Sequence, residues 1–182
     1  MLNIKVTIFA LGVAACLIGA ANAHFVWLER DEDGPARAYF GEFVEDLHEK
    51  TGGRLDTIQT PRAFTAAQEE ILPIERRSDH FAITVKDRGD LRLRAVREEI
   101  KDGEKRRTIY YARAARAEAS AKLDLELVPT AADSNTFILL FRGKPLPKAD
   151  VTVIGPPRWE KPLHTDDQGR VTIPTPWAAA MS

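Results

Sequence analysis

The residue with the most chemistry to offer is His24, because of what stands before it. Ala21-Asn22-Ala23 carries the small residues that a signal peptidase reads, and it closes an apolar run from Val6 to Ala20 that follows Lys5. Residues 1–23 therefore read as a secretory signal peptide, with cleavage after Ala23. The mature chain would begin with a histidine, which offers two nitrogens, the free α-amine and the ring. These titrate near ~8 and ~6.5, so both become neutral donors at modest cost. Together they can chelate a borderline ion such as Cu²⁺, Ni²⁺ or Co²⁺. The plainer reading is that cleavage simply happens to fall before a histidine.

Few other residues can join it. His48 lies in the charged run Asp46-Leu47-His48-Glu49-Lys50 and reads as a solvated side chain. His80 opens a strand pattern on the face opposite Phe81 and Ile83, where folding can carry it toward His24. His164 precedes the Thr165-Asp166 turn, a loop-facing position. Glu42 is a candidate carboxylate co-ligand or a structural charge partner. No two of these have the close spacing of a ready-made site such as His-x-x-x-His, so the metal signal rests on His24, with His80, His164 and Glu42 as candidate co-ligands. Enzyme motifs are missing: there is no Gly-x-Ser-x-Gly elbow, P-loop or dinucleotide fingerprint. Glu69-Glu70 and Glu98-Glu99 read as solvated surface. Asp166, Asp167 and Gly169 lack the alternating acids of a calcium loop. The expectation is a protein that is not an enzyme.

The leader also bounds the rest of the chain. Of 182 residues, removing 23 leaves 159, enough for one large domain or two small ones. Lys+Arg 26 less Lys5 leaves 25 basic side chains against 27 acidic ones, a net charge of −2 that gives no reason to expect a nucleic-acid partner. The single cysteine, Cys16, departs with the leader, so no disulfide or thiolate remains. Val13-Ala14-Ala15-Cys16 has the outline of a lipidation box, but the sequence stays apolar through Ala20, which favours simple secretion. The apolar run is marginal for spanning a bilayer, and no stable membrane span is expected after cleavage. The destination is the periplasm or the cell exterior.

The elements that must position these residues are β-strands. His24 to Glu29 and Ala36 to Phe43 read as strands joined by the polar turn Asp31–Pro35, with Gly41 marking a bulge or a close approach. Val44 to Lys50 reads as a helical turn stopped by Gly52-Gly53, and Arg54 to Phe64 as an extended segment. Thr65–Gln68 reads as a weak helical start. Alternation is clean at Phe81, Ile83, Val85 and at Leu91, Leu93, Ala95, with a hairpin turn at Asp102-Gly103. Ala112 to Ala121 has helix-forming composition without an apolar stripe and reads as an exposed helical turn or loop. Leu123, Leu125 and Leu127 form a strand ending at Pro129. The polar connector Thr130–Asn135 divides an N-terminal β domain, 24–129, from a C-terminal β-sandwich domain, 130–182. Short strands in the latter are Thr136–Phe141, Val151–Ile154 and Arg170–Ile173.

Ala-His-Phe-Val-Trp-Leu at 23–28, Tyr39-Phe40-Gly41-Glu42 and Tyr110-Tyr111-Ala112 together resemble a secreted family of unknown function whose members open with Ala-His. Some of its members are periplasmic components of nickel or cobalt uptake systems. Gly143-Lys144-Pro145-Leu146, Ala149-Asp150-Val151, Thr165-Asp166 and Gly169-Arg170-Val171 are similar to the carboxypeptidase-regulatory-like sandwich. The resemblance spans most of 22–176. It implies an all-β protein of two sandwich-like parts, the second immunoglobulin-like. It also implies a role in binding nickel, cobalt or copper and a membrane metal-uptake transporter as partner. Members continue past the Thr-Asp-x-x-Gly strand, whereas this chain stops at Ser182, so the second sandwich is expected to lack its last strand. Two other readings stand beside this one. The first is a non-catalytic interaction module docking a protein or polysaccharide. The second is a copper-dependent oxygenase, which would need a second histidine across the site.

Overall fold

The computed structural model describes residues 24–30, 35–67, 71–156 and 158–174. Residues 1–23, which read as a signal peptide, residues 31–34, which read as a turn, Glu69-Glu70 and the last eight residues, where the closing strand is expected to be missing, lie outside them. The chain is all-β, and a single 3-10 turn at Arg54–Thr57 is the helical element among the described residues. No helix there is long and apolar enough to cross a membrane.

Among the described residues the N-terminal part has eight strands. In order they are β1 (Phe25–Glu29), β2 (Ala36–Glu42), β3 (Leu47–His48), β4 (Arg62–Phe64), β5 (Ile74–Arg76), β6 (Phe81–Ile83), β7 (Leu91–Lys101) and β8 (Glu104–Ala114). One antiparallel sheet runs β1-β2-β6-β5, with β3 added to the end of β2, and a second runs β4-β7-β8. Alternation decides which faces meet. Val26 and Leu28, then Ala38 and Phe40, then Phe81 and Ile83, point from the first sheet into one core. Ala63, with Leu91, Leu93 and Ala95, meets them from the second. Phe40 and Ile83 are wholly buried, each contributing about 1.5–3 kcal/mol by leaving water.

The C-terminal part starts earlier than the polar connector. It contains β9 (Leu125–Pro129), β10 (Thr136–Phe141), β11 (Lys144–Pro145), β12 (Asp150–Gly155), β13 (Trp159–His164) and β14 (Arg170–Thr172). Strand β9 pairs with β10 along its whole length, Leu125 opposite Phe141 and Pro129 opposite Phe137. Thr130–Asn135 is thus the turn of a hairpin, closed by the Thr130 N–H donating to Thr136 O at 2.9 Å. Strands β12 and β13 form a separate two-stranded ribbon. Strand β13 was invisible in the sequence because Lys161-Pro162 interrupts any alternation and its residues are mostly exposed.

Two other segments depart from their sequence reading. Val44–Lys50 holds no helical turn. Asp46 takes a left-handed φ of 56°, which short polar residues tolerate, and the chain turns back as β3. At Ala112–Ala121, read as a helical turn or loop, β8 runs to Ala114 and the loop alternative holds for the irregular residues that follow. Buried carboxylates take backbone donors in this segment and just after it. Asp90 accepts from the N–H groups of Ala117 at 2.9 Å and Glu118 at 3.2 Å. Glu126 accepts from Lys122 at 2.6 Å and Leu123 at 2.9 Å.

Candidate functional site

Strand register brings His24 to its neighbours. Phe25 lies opposite Gly41 and Val26 opposite Phe40, so one further step sets His24 beside Glu42. The ring rests on Phe40 with centroids 5.2 Å apart, and its Nδ1 is 3.5 Å from Glu42 Oε1. The return of the chain through β3 supplies a second carboxylate. The Glu49 N–H donates to Phe40 O at 2.8 Å, and Glu49 Oε1 lies 2.6 Å from His24 Nε2. This return depends on Gly41. A Cβ at that position would stand 1.9 Å from Leu47 O, and its φ is 156°. The side chains of His24, Glu42 and Glu49 are 10%, 14% and 17% exposed, enough to be reached but not freely solvated.

Arg54 completes the group. Leu55, wholly buried, anchors the 3-10 turn in the core, and the Gly52 N–H donates to Asp56 Oδ2 at 2.7 Å, tying the entering chain to it. Arg54 Nη1 then lies 3.2 Å from His24 Nε2. The two contacts at Nε2 exclude each other. With its proton on Nε2, the ring donates to Glu49; with its proton on Nδ1, it accepts from Arg54. Glu49 is the better-placed partner at 2.6 Å, and that tautomer leaves the Nδ1 lone pair on the side of Glu42.

Such an arrangement has the form of a ligating histidine whose far N–H is held by a carboxylate, a pairing that fixes ring orientation and raises ligand basicity. Among the described residues, no group of three or more His, Cys, Asp or Glu side chains is disposed to hold a metal ion. The reason is visible at His24: its two carboxylates sit on opposite edges of the ring and do not converge on one point. A third donor on the Nδ1 edge has to come from elsewhere, and the α-amine of a processed His24 is on that edge by covalent structure.

The remaining candidates are elsewhere. His80 lies on the opposite face of the first sheet, its ring 5.5 Å from Tyr39 and its Nδ1 2.7 Å from Asp79 Oδ1. The hydrogen bond from His80 outweighs burial and holds the Asp79 carboxyl below its ordinary range. His48 stacks on the same Tyr39 at 4.3 Å and against Trp27 at 5.3 Å, so it is part of an aromatic face rather than a freely solvated side chain. Burial, then Glu29, pushes the Tyr39 phenol up. His164 stands at the end of the exposed β12–β13 ribbon, paired through Nδ1 with Asp150 Oδ1 at 2.8 Å. Of the candidates, Glu42 alone contacts His24. Glu49 was missed because its partner depends on a chain reversal at Asp46 that reads locally as a helical turn.

In comparisons with protein-family models, characterised proteins and solved structures, the chain matches none of them.

Proposed function

We propose that the protein is an exported transition-metal-binding accessory protein, taking up copper, nickel or cobalt through the mature N-terminal His24 in the periplasm or cell exterior, for delivery to a membrane uptake transporter. The α-amine and Nδ1 of His24 are the primary donors, Glu42 is the carboxylate on the same edge, and Glu49 holds Nε2–H. The observation that supports this reading is the 2.6 Å contact between Glu49 Oε1 and His24 Nε2, which leaves Nδ1 facing Glu42. A bound divalent ion would exchange with protons at the amine and ring, so binding weakens progressively as pH falls.

The test compares the mature protein beginning at His24 with a twin carrying one extra glycine in front of it. The added residue keeps the imidazole and both carboxylates but moves the free amine away from the ring. Titration with Cu²⁺, Ni²⁺ and Co²⁺ near pH 7.5 should show at least a tenfold loss, about 1.4 kcal/mol, in the twin. Glu49→Gln should weaken binding by about 10–100-fold with the amine intact. Copper is expected to bind tightest on general grounds, so the tube preference does not name the physiological ion. Equal, weak binding by both proteins would replace this reading with that of an interaction module.

A further inference from the structure

On the outer face of the β4-β7-β8 sheet, away from His24, lies an open cavity of about 390 Å³, within the range of small-molecule sites. Its wall carries two guanidinium groups directly across from one another, Arg62 of β4 and Arg94 of β7 being register partners. Lys122 lines the same cavity, and Phe64, Ile71 and Leu123 give it an apolar floor. Ile71 is 51% exposed there. The described lining has one acid, Asp124, whose Oδ2 accepts from the Tyr111 hydroxyl at 3.3 Å. Among the described residues, the side chains of Arg62, Arg94 and Lys122 have no hydrogen-bond or ion-pair partner.

Like charges directly opposite across two strands destabilise a sheet unless something neutralises them. Two residues along β7 the same problem recurs and is solved internally: Arg92 and Arg113, also register partners, share Asp90, Glu118 and Glu126. Among the described residues no carboxylate pairs with Arg62 or Arg94, Asp124 of the lining being bonded to Tyr111, and the pair faces a hollow floored by Phe64, Ile71 and Leu123. We propose that this cavity binds a small amphipathic carboxylate, its head between the Arg62 and Arg94 guanidiniums and its hydrocarbon body on Phe64, Ile71 and Leu123. A planar carboxylate matches the fork of guanidinium donors, and the apolar floor selects a ligand with a chain over a bare anion.

Calorimetric titration of the mature protein with octanoate tests this, alongside 1-octanol and inorganic phosphate. Octanoate should bind with 1:1 stoichiometry and shift the methyl NMR signals of Ile71 and Leu123, and both other probes should bind at least tenfold more weakly. The R62Q/R94Q double variant should lose at least tenfold in octanoate affinity while keeping its urea midpoint, since neither side chain supports the core. Absence of octanoate binding, or octanol binding as tightly, overturns the proposal. So does phosphate binding as tightly, because the site would then read charge alone. Glu69 and Glu70 fall in sequence between the lining residues Ala66 and Ile71, and E69Q/E70Q serves as a control. A tenfold or greater gain in octanoate affinity in that variant would mean that the counter-charge is the chain's own, and would also overturn the proposal.

Discussion

Two pairs of arginines stand two residues apart along β7, on the same face of the same sheet, and their surroundings are opposite. Arg92 is wholly buried. Its Nε donates to Glu126 at 2.8 Å, one Nη to Glu118 at 2.7 Å and the other to Ser120 O at 3.0 Å. Its cross-strand neighbour Arg113 donates to Asp90 at 3.0 Å and Glu126 at 2.9 Å. Arg94 is half-buried, and its neighbour Arg62 is exposed; no carboxylate among the described residues pairs with either. The first pair is a joint: Glu126 belongs to β9, so its bonds tie the C-terminal sheet to the N-terminal sandwich, and those of Asp90 lay down the irregular 115–123 segment between them. The second is an unbalanced surface. A buried guanidinium survives only where every donor and charge is answered; a solvated one can be left open, and what is left open is available to a ligand.

The largest effect should come from breaking the closed pair. Arg92→Ala takes from Glu126, 3% exposed, one of its two guanidinium partners, leaving Arg113, and removes the charge facing Glu118. A loss of about 3–5 kcal/mol is expected from urea unfolding, as for other buried pairs that lose one partner. A loss under about 1 kcal/mol would mean that the network is not what joins the two parts.

Acid sharpens the contrast at a smaller scale. Burial pushes the Asp90 carboxyl up, but the hydrogen bonds from Arg113 and from the Ala117 and Glu118 N–H groups outweigh it and hold the group below its ordinary value of 3.8. A carboxyl depressed in the folded state contributes stability that is fully present above its unfolded pKa and is lost as pH falls through the folded one. Asp90→Asn should therefore cost about 1–3 kcal/mol at pH 7, and the gap from the parent should narrow as pH falls below 3.8. A gap constant down to pH 3 would contradict the ionic account.

The smallest change is expected at the open pair. Arg94→Gln removes one of two facing like charges and should leave the urea midpoint unchanged or raise stability by about 0.2–1 kcal/mol. Destabilisation of the size expected for Arg92→Ala would show that Arg94 has an internal partner after all.

Much of this architecture was legible beforehand. The all-β class, the first hairpin and the β7–β8 hairpin at Asp102-Gly103 follow from alternation and turn chemistry, which are local. Gly41 read as a bulge or a close approach, and the structure has the close approach, to Leu47 O. His24 stood out by its place after Ala-Asn-Ala. What it touches did not, since Glu49 is 25 residues away in sequence and arrives through the register of three strands.

The limits of local reading are clearest at 112–121. Alanine-rich composition favours helix when nothing else acts on the backbone, and only the folded chain brings Asp90 close enough to take the N–H groups of Ala117 and Glu118. The same is true of the arginines. As letters, Arg92 and Arg94 are two polar positions alternating with leucine. The sequence by itself determined which face of β7 they occupy, because a strand repeats every two residues. Whether that face meets carboxylates or an open hollow was decided by where β9 and the segment before it come to lie. Electrostatic partners are chosen by distance in space, and distance in space between remote segments is settled only when the sheets have packed.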